Sequence, residues 1–255
     1  SFWPFDGMGG QGRCFCDGPT WPHLLGIPVH NFAHGAATTC QDVPDPAPEG
    51  FHVLPSTSGV TTWPETTVRP RGAAQQLDQA EALLPEALWS DSGALFVVVI
   101  GGNDYLFHRE AAVGRTKGEA ADCPLVQNVR QLLARLRSKG VQDANMVVAR
   151  IIALDCMPGV RRDESIDCVW LRSQLEAVSD ALAGLGVRQW DGQDVAIREA
   201  GLEKKENEYN IYERMESINR PEDLVPEKLH ESTGVGWFDE YHPNLLAHQM
   251  LARSF

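Results

Sequence analysis

The run Phe96-Val97-Val98-Val99-Ile100 carries no polar side chain and stops at Gly101-Gly102-Asn103-Asp104. A short, β-branched, wholly apolar stretch ending at glycine predicts a strand buried on both faces. Ligands of open parallel sheets bind just beyond the carboxyl ends of such strands, so Gly101 to Asp104 predicts a site. Asn103 offers a side-chain amide there, suited to a developing oxyanion and held by rigid backbone behind it. The same residues also read as a strand-to-helix turn in which Asn103 and Asp104 cap a helix.

Around this strand the chain alternates. Ala73, Leu77, Ala80, Leu83, Leu84 and Leu88 recur at helical spacing, predicting one helix from Gly72 to Leu88. A second amphipathic helix is predicted from about Pro124 to Lys139, with Val126, Val129, Leu132, Leu133 and Leu136 on one stripe and Gly140 as its terminator. Ala144 to Leu154 is another apolar strand, Ile166 to Leu185 a third helix, and Val187 to Trp190 a short strand. Pro243 suits the first turn of a C-terminal helix. Upstream, Trp21 to Leu25 predicts a short helix and Ile27 to Phe32 a short strand, while the proline-rich residues 41–72 predict an irregular surface excursion. The charged residues 198–231 predict surface helices or a lid-like insertion. Strand and helix in alternation predict α/β architecture, a three-layer α/β/α sandwich around a central parallel sheet, as a single domain over all 255 residues.

The formal net charge of −13 argues against a nucleic-acid partner, whose phosphates demand a basic face. No apolar run approaches the ~20 residues of a membrane-spanning helix. The opening SFWPFDGMGG has neither the basic end nor the apolar core of a signal peptide. Six cysteines (Cys14, Cys16, Cys40, Cys123, Cys156 and Cys168) permit up to three disulfides or a set of buried thiols. The compartment therefore stays open, with a secreted or organelle-lumenal location slightly favoured. No Cys/His cluster has the spacing of a zinc site, so no metal is expected.

Near the end of the chain, Asp239 stands three residues before His242, just ahead of Pro243. A carboxylate so placed can hold an imidazole in one tautomer and stabilise its protonated form. Three further segments make the pattern specific. Gly12-Arg13-Cys14-Phe15-Cys16-Asp17-Gly18-Pro19-Thr20-Trp21 resembles the GRFSDGPxW segment of the GDSL family of SGNH esterases and lipases. Asn31-Phe32-Ala33-His34-Gly35-Ala36-Ala37-Thr38-Thr39 is similar to that family's second block, NFAxGGATT. Ile100 to Tyr105 resembles the third block and Phe238 to Pro243 the fifth, in the family's order and approximate separations.

The resemblance implies an SGNH-hydrolase (flavodoxin-like) sandwich that cleaves carboxylic esters of lipids or acylated carbohydrates, without cofactor or metal. It implies His242 as general base, Asp239 as its orienting partner, and an oxyanion hole built from the Gly35 backbone N–H and the Asn103 side chain. The family's nucleophile is the serine of a Gly-Asp-Ser block that ends a buried strand. No Gly-Asp-Ser occurs in this sequence, and Ser1-Phe2 matches only the end of such a block. Ser1 is the expected nucleophile only if it is the remnant of that block. The alternative is a catalytically inactive SGNH-fold protein, serving with protein partners as a structural or binding subunit of a larger assembly. Asp104 is expected to hold the turn after Asn103, and His248 to be a packing or surface histidine.

Overall fold

The computed structural model describes residues 21–33, 37–40, 72–106, 117–192 and 245–255. Pro85 splits the first predicted helix in two. Helix α1 (Ala73–Leu83) ends where Leu84 turns extended, at φ −81° and ψ 137°, and α2 (Glu86–Trp89) starts after the proline. A proline ring clashes with the backbone of the residue before it, which drives Leu84 out of the helical region. Ile27 to Phe32 does not form the expected strand: these residues have no regular structure, and Ile27 and Val29 are exposed.

Strand β1 (Phe96–Val98) is followed directly by α3, helical at residues 102–106, and then by the short α4 (Lys117–Ala120). Helix α5 (Pro124–Ser138) begins with proline at its first turn, where the missing N–H costs nothing. It ends in a Schellman motif: Val141 N–H donates to the Leu136 carbonyl and Gly140 N–H to that of Arg137, with Gly140 at φ 101°.

The apolar stretch from Ala144 to Leu154 supplies a shorter strand than expected. Strand β2 covers only Met146–Ala149 and lies between two single-turn 3₁₀ segments, Asp143–Asn145 and Leu154–Cys156. The side-chain amide of Asn145 donates to the carbonyls of Ser92 (2.9 Å) and Ala94 (2.7 Å), tying the approach to β2 to the approach to β1. After α6 (Pro158–Arg162) comes α7 (Cys168–Ala183), capped by Asp167, whose Oδ1 accepts the N–H groups of Val169 and Trp170. Strand β3 (Arg188–Trp190) and the C-terminal helix α8 (Leu245–Ser254) complete the described elements.

The three strands are parallel in the order β1-β2-β3, with Val97 opposite Val147 and Val148 opposite Gln189. Strand β2 is buried throughout, and its side chains alternate between two cores. Met146 and Val148 join the main core with residues of α1, α5 and α7, whereas Val147 and Ala149 join Trp21, Trp190 and Leu251. Side chains on a strand point to opposite faces in turn, so packed elements cover both faces of the sheet at β2. On the second face, Trp21 lies 4.8 Å from Trp190 and 5.3 Å from Phe255, ring centre to ring centre.

Strand β1 departs from the expectation of burial on both faces. Phe96, Val98 and Ile100 pack on the main core, but Leu95, Val97 and Val99 remain 41%, 36% and 38% exposed. Among the described residues, the cluster of Trp21, Trp190 and Leu251 that covers the second face at β2 and β3 does not include these three side chains of β1 and the residues next to it. The chain is a mixed helix-and-strand protein with a small parallel sheet. Among the described residues no helix is long and apolar enough to cross a membrane.

Candidate functional site at the carboxyl end of β1

Backbone geometry makes this corner sharp. Gly101 has φ 111°, a region that residues with a Cβ seldom enter, and an added Cβ would lie 2.5 Å from Ile151 Cδ1 and 3.2 Å from Leu125 Cδ1. Only glycine fits where the strand turns into α3. The turn brings Asn103 and Asp104 to the end of the sheet, facing the segment Ala37–Cys40.

Two adjacent residues then grip that segment. The side-chain amide of Asn103, partly buried, donates to the Ala37 carbonyl at 2.9 Å. Among the described residues its second N–H takes no partner. The carboxylate of Asp104 is fully buried and accepts the Thr39 N–H at 3.0 Å and the Thr39 hydroxyl at 2.6 Å. From the opposite side, Asn128 of α5 donates to the Thr39 hydroxyl oxygen at 2.9 Å. The Ala73 N–H at the start of α1 donates to the Thr38 carbonyl at 3.0 Å. The segment is thus held by α1, α3 and α5 together. Upstream, the Asn31 side chain accepts the Ala33 N–H at 2.9 Å in a local turn.

Burial dominates the electrostatics. It raises the Asp104 carboxyl from its usual range to about 6, against the opposing pull of the Thr39 hydrogen bonds. Burial likewise pushes the Cys40 thiol up to about 11, with the Asp104 and Asp78 charges adding to the effect. Cys123 is raised for the same leading reason. Cys40, Cys123, Cys156 and Cys168 are free thiols, three of them buried. Held neutral by their surroundings, Cys40 and Cys123 are poor nucleophiles.

Sequence reasoning missed Thr39, Asn128, Asp155 and Arg172 as site neighbours. Asp155 follows β2 by a few residues, at the same carboxyl end of the sheet as Asn103. Its side chain is 1% exposed and pairs with Arg172 Nε at 2.6 Å, the arginine side chain being 45% exposed. A polar residue that ends an apolar run was the available signal for Asp155. His248 is buried and its Nδ1 accepts the backbone N–H of Trp21 at 3.3 Å, so of the two expected roles, packing or surface, it takes the first.

Of the residues to which the sequence assigned a catalytic or oxyanion-hole role, Asn103 is the one whose position is described. Ser1, Gly35, Asp239 and His242 lie outside the described residues. Among the described residues no group of His, Cys, Asp and Glu has the arrangement of a metal site. No protein-family model matches the chain, and no curated protein matches it.

Proposed function

We propose that the chain is an SGNH-type hydrolase of carboxylic esters, with the three-layer α/β/α sandwich of that class. The observation that carries this reading is the placement of Asn103. It stands at the carboxyl end of a parallel strand, with one amide N–H anchored on Ala37 of the second block and the other without a partner among the described residues. Anchoring one N–H fixes the plane of the amide, so the second is held in advance for an oxyanion. Parallel pairing, helices packed over β2 and the order of the sequence blocks all support the same reading.

In this mechanism the Ser1 hydroxyl attacks the ester carbonyl while His242 takes its proton. Asp239 holds the imidazole and stabilises its charge. The negative charge that develops on the carbonyl oxygen is met by the Gly35 N–H and the Asn103 amide. Collapse expels the alcohol, which takes the proton from His242, and leaves a seryl ester. Water activated by the same histidine then releases the acid and restores the serine.

The test is turnover of p-nitrophenyl acetate and p-nitrophenyl butyrate by the wild-type chain and by Ser1→Ala, His242→Ala and Asn103→Ala. Loss in the first two and a partial loss in the third support the reading. Equal turnover in all four proteins removes these residues from any catalytic role and leaves the non-catalytic subunit.

A further inference from the structure

The bonds around Asp104 have a direction. Asn128 donates to the Thr39 oxygen, and the Thr39 hydroxyl can then donate only onward, to Asp104 Oδ1. The Thr39 N–H donates to the same carboxylate. Every proton points at Asp104, and the Thr39 N–H is shared between its two oxygens, at 3.2 Å and 3.0 Å. The ionised carboxylate meets these donors best, because protonation turns one of the two accepting oxygens into an O–H and weakens its hold on them. Asp104 is also the neighbour of Asn103, as Thr39 lies two residues beyond Ala37. The Asp104–Thr39 bonds and the Asn103–Ala37 bond are therefore two rungs between the same two segments.

We propose that Asp104 is the positioning residue of this site: its ionised carboxylate holds Ala37–Cys40 in place, and so fixes the amide of Asn103 for the oxyanion. This rests on the ester-hydrolase reading. Protonation of Asp104 slackens the first rung and lets the second swing. Burial places that change at about pH 6. Among the described residues, the titratable groups facing Asp104 are Cys40 on the gripped segment, Tyr105 on α3 and Cys123 at the start of α5, with Asp78 of α1 beyond Cys40. Burial raises the two thiols and the phenol, and none of the four is a cation that would hold the carboxylate ionised.

Two measurements separate this proposal from the hydrolase reading itself. In protein labelled with ¹⁵N-asparagine, the Asn103 side-chain amide should titrate with a midpoint at about pH 6. In Asp104→Asn that titration should vanish. If the Asn103 signals hold still from about pH 5 to 8 in the wild type, Asp104 does not set the amide and the proposal is overturned.

In the ester assay, Asp104→Asn should lower kcat about tenfold or more with KM little changed, because positioning acts on the transition state. Its acid limb should lose one proton of steepness, since Asp104 no longer titrates. Thr39→Val should lower kcat likewise, and Thr39→Ser, which keeps the hydroxyl, should restore it. An unchanged acid limb in Asp104→Asn overturns the catalytic role. Absence of ester turnover in the wild type overturns the hydrolase reading and this catalytic role together, and the amide titration still decides the coupling.

Discussion

Asp104 accepts both the backbone N–H and the hydroxyl of Thr39, a residue 65 positions earlier, from a site with no solvent exposure. Burying that carboxylate has a thermodynamic consequence. Its pKa in the fold, about 6, stands above the 3.8 of an unperturbed aspartate. The folded state therefore holds the proton more tightly than the unfolded chain. The contribution of Asp104 to stability is fully present below about pH 3.8 and is lost as pH rises through about 6. The difference in unfolding free energy between the wild type and Asp104→Asn should accordingly fall between about pH 4 and 6 and level off above about pH 7. Urea denaturation across that range measures it, and a difference that rises with pH would contradict the buried-carboxylate account.

Asn103 allows a sharper substitution than alanine. Asn103→Asp keeps the shape and turns the donor facing the Ala37 carbonyl into an acceptor. Two acceptors at hydrogen-bond distance repel, so this variant should be less stable than Asn103→Ala, which loses only about 1 kcal/mol of net hydrogen bonding. Both should lower ester turnover by ~10²–10³, the scale of a lost side-chain oxyanion donor. An Asn103→Asp protein as stable as Asn103→Ala would mean that the Ala37 bond carries no weight.

Features of this fold were legible wherever their causes are local. The end of α5 could be read because a Schellman turn needs a residue with positive φ, and Gly140 stands at that place. The break at Pro85 was present in the sequence too, but the helical spacing of Leu83, Leu84 and Leu88 runs through it and masks it. Facing was not legible in β1. A run of five apolar residues has no period, so nothing distinguishes Val98, packed on the core, from Val97, exposed. At the site, the end of an apolar run at Gly101-Gly102 pointed to Asn103, and the resemblance to a family pattern singled out its role as an oxyanion donor. Thr39 meets Asp104 across 65 positions and Asn128 meets Thr39 across 89, and no local pattern announces a partner at that range. Asp155 looked like a loop residue because the Arg172 that pairs with it sits a helix turn into α7.

The corner at Gly101 should tolerate nothing larger than glycine, whereas its neighbour should. In Gly101→Ala the new Cβ meets Ile151 and Leu125 at 2.5 Å and 3.2 Å, on a backbone with φ 111°. Overpacking and a disfavoured dihedral together should cost roughly 2–4 kcal/mol. At Gly102 a Cβ would meet nothing closer than 3.6 Å, from Ile152. Gly102→Ala should be neutral or stabilising by up to about 1 kcal/mol, the usual gain from alanine within a helix. Denaturant midpoints of the two variants, measured side by side, test the corner: equal midpoints would show that the turn is not fixed by Gly101.

The cap of α7 reaches the carboxyl end of the sheet through Arg172. Asp167 Oδ1 takes the N–H groups of Val169 at 2.9 Å and Trp170 at 3.1 Å, and Arg172 follows in the next turn to pair with Asp155. Asp167→Ala should cost about 0.5–2 kcal/mol, the range for a lost N-cap. Fraying of the first turn should also loosen Arg172. Because the pair is half exposed on the arginine side, its own worth is discounted by solvent, and the informative quantity is the coupling. In a double-mutant cycle, Asp167→Ala and Arg172→Ala should cost less together than the sum of their separate effects. Asp180→Ala, on the exposed face of the same helix, should combine additively with Arg172→Ala. Strict additivity in both cycles would show that the cap holds α7 without holding the ion pair.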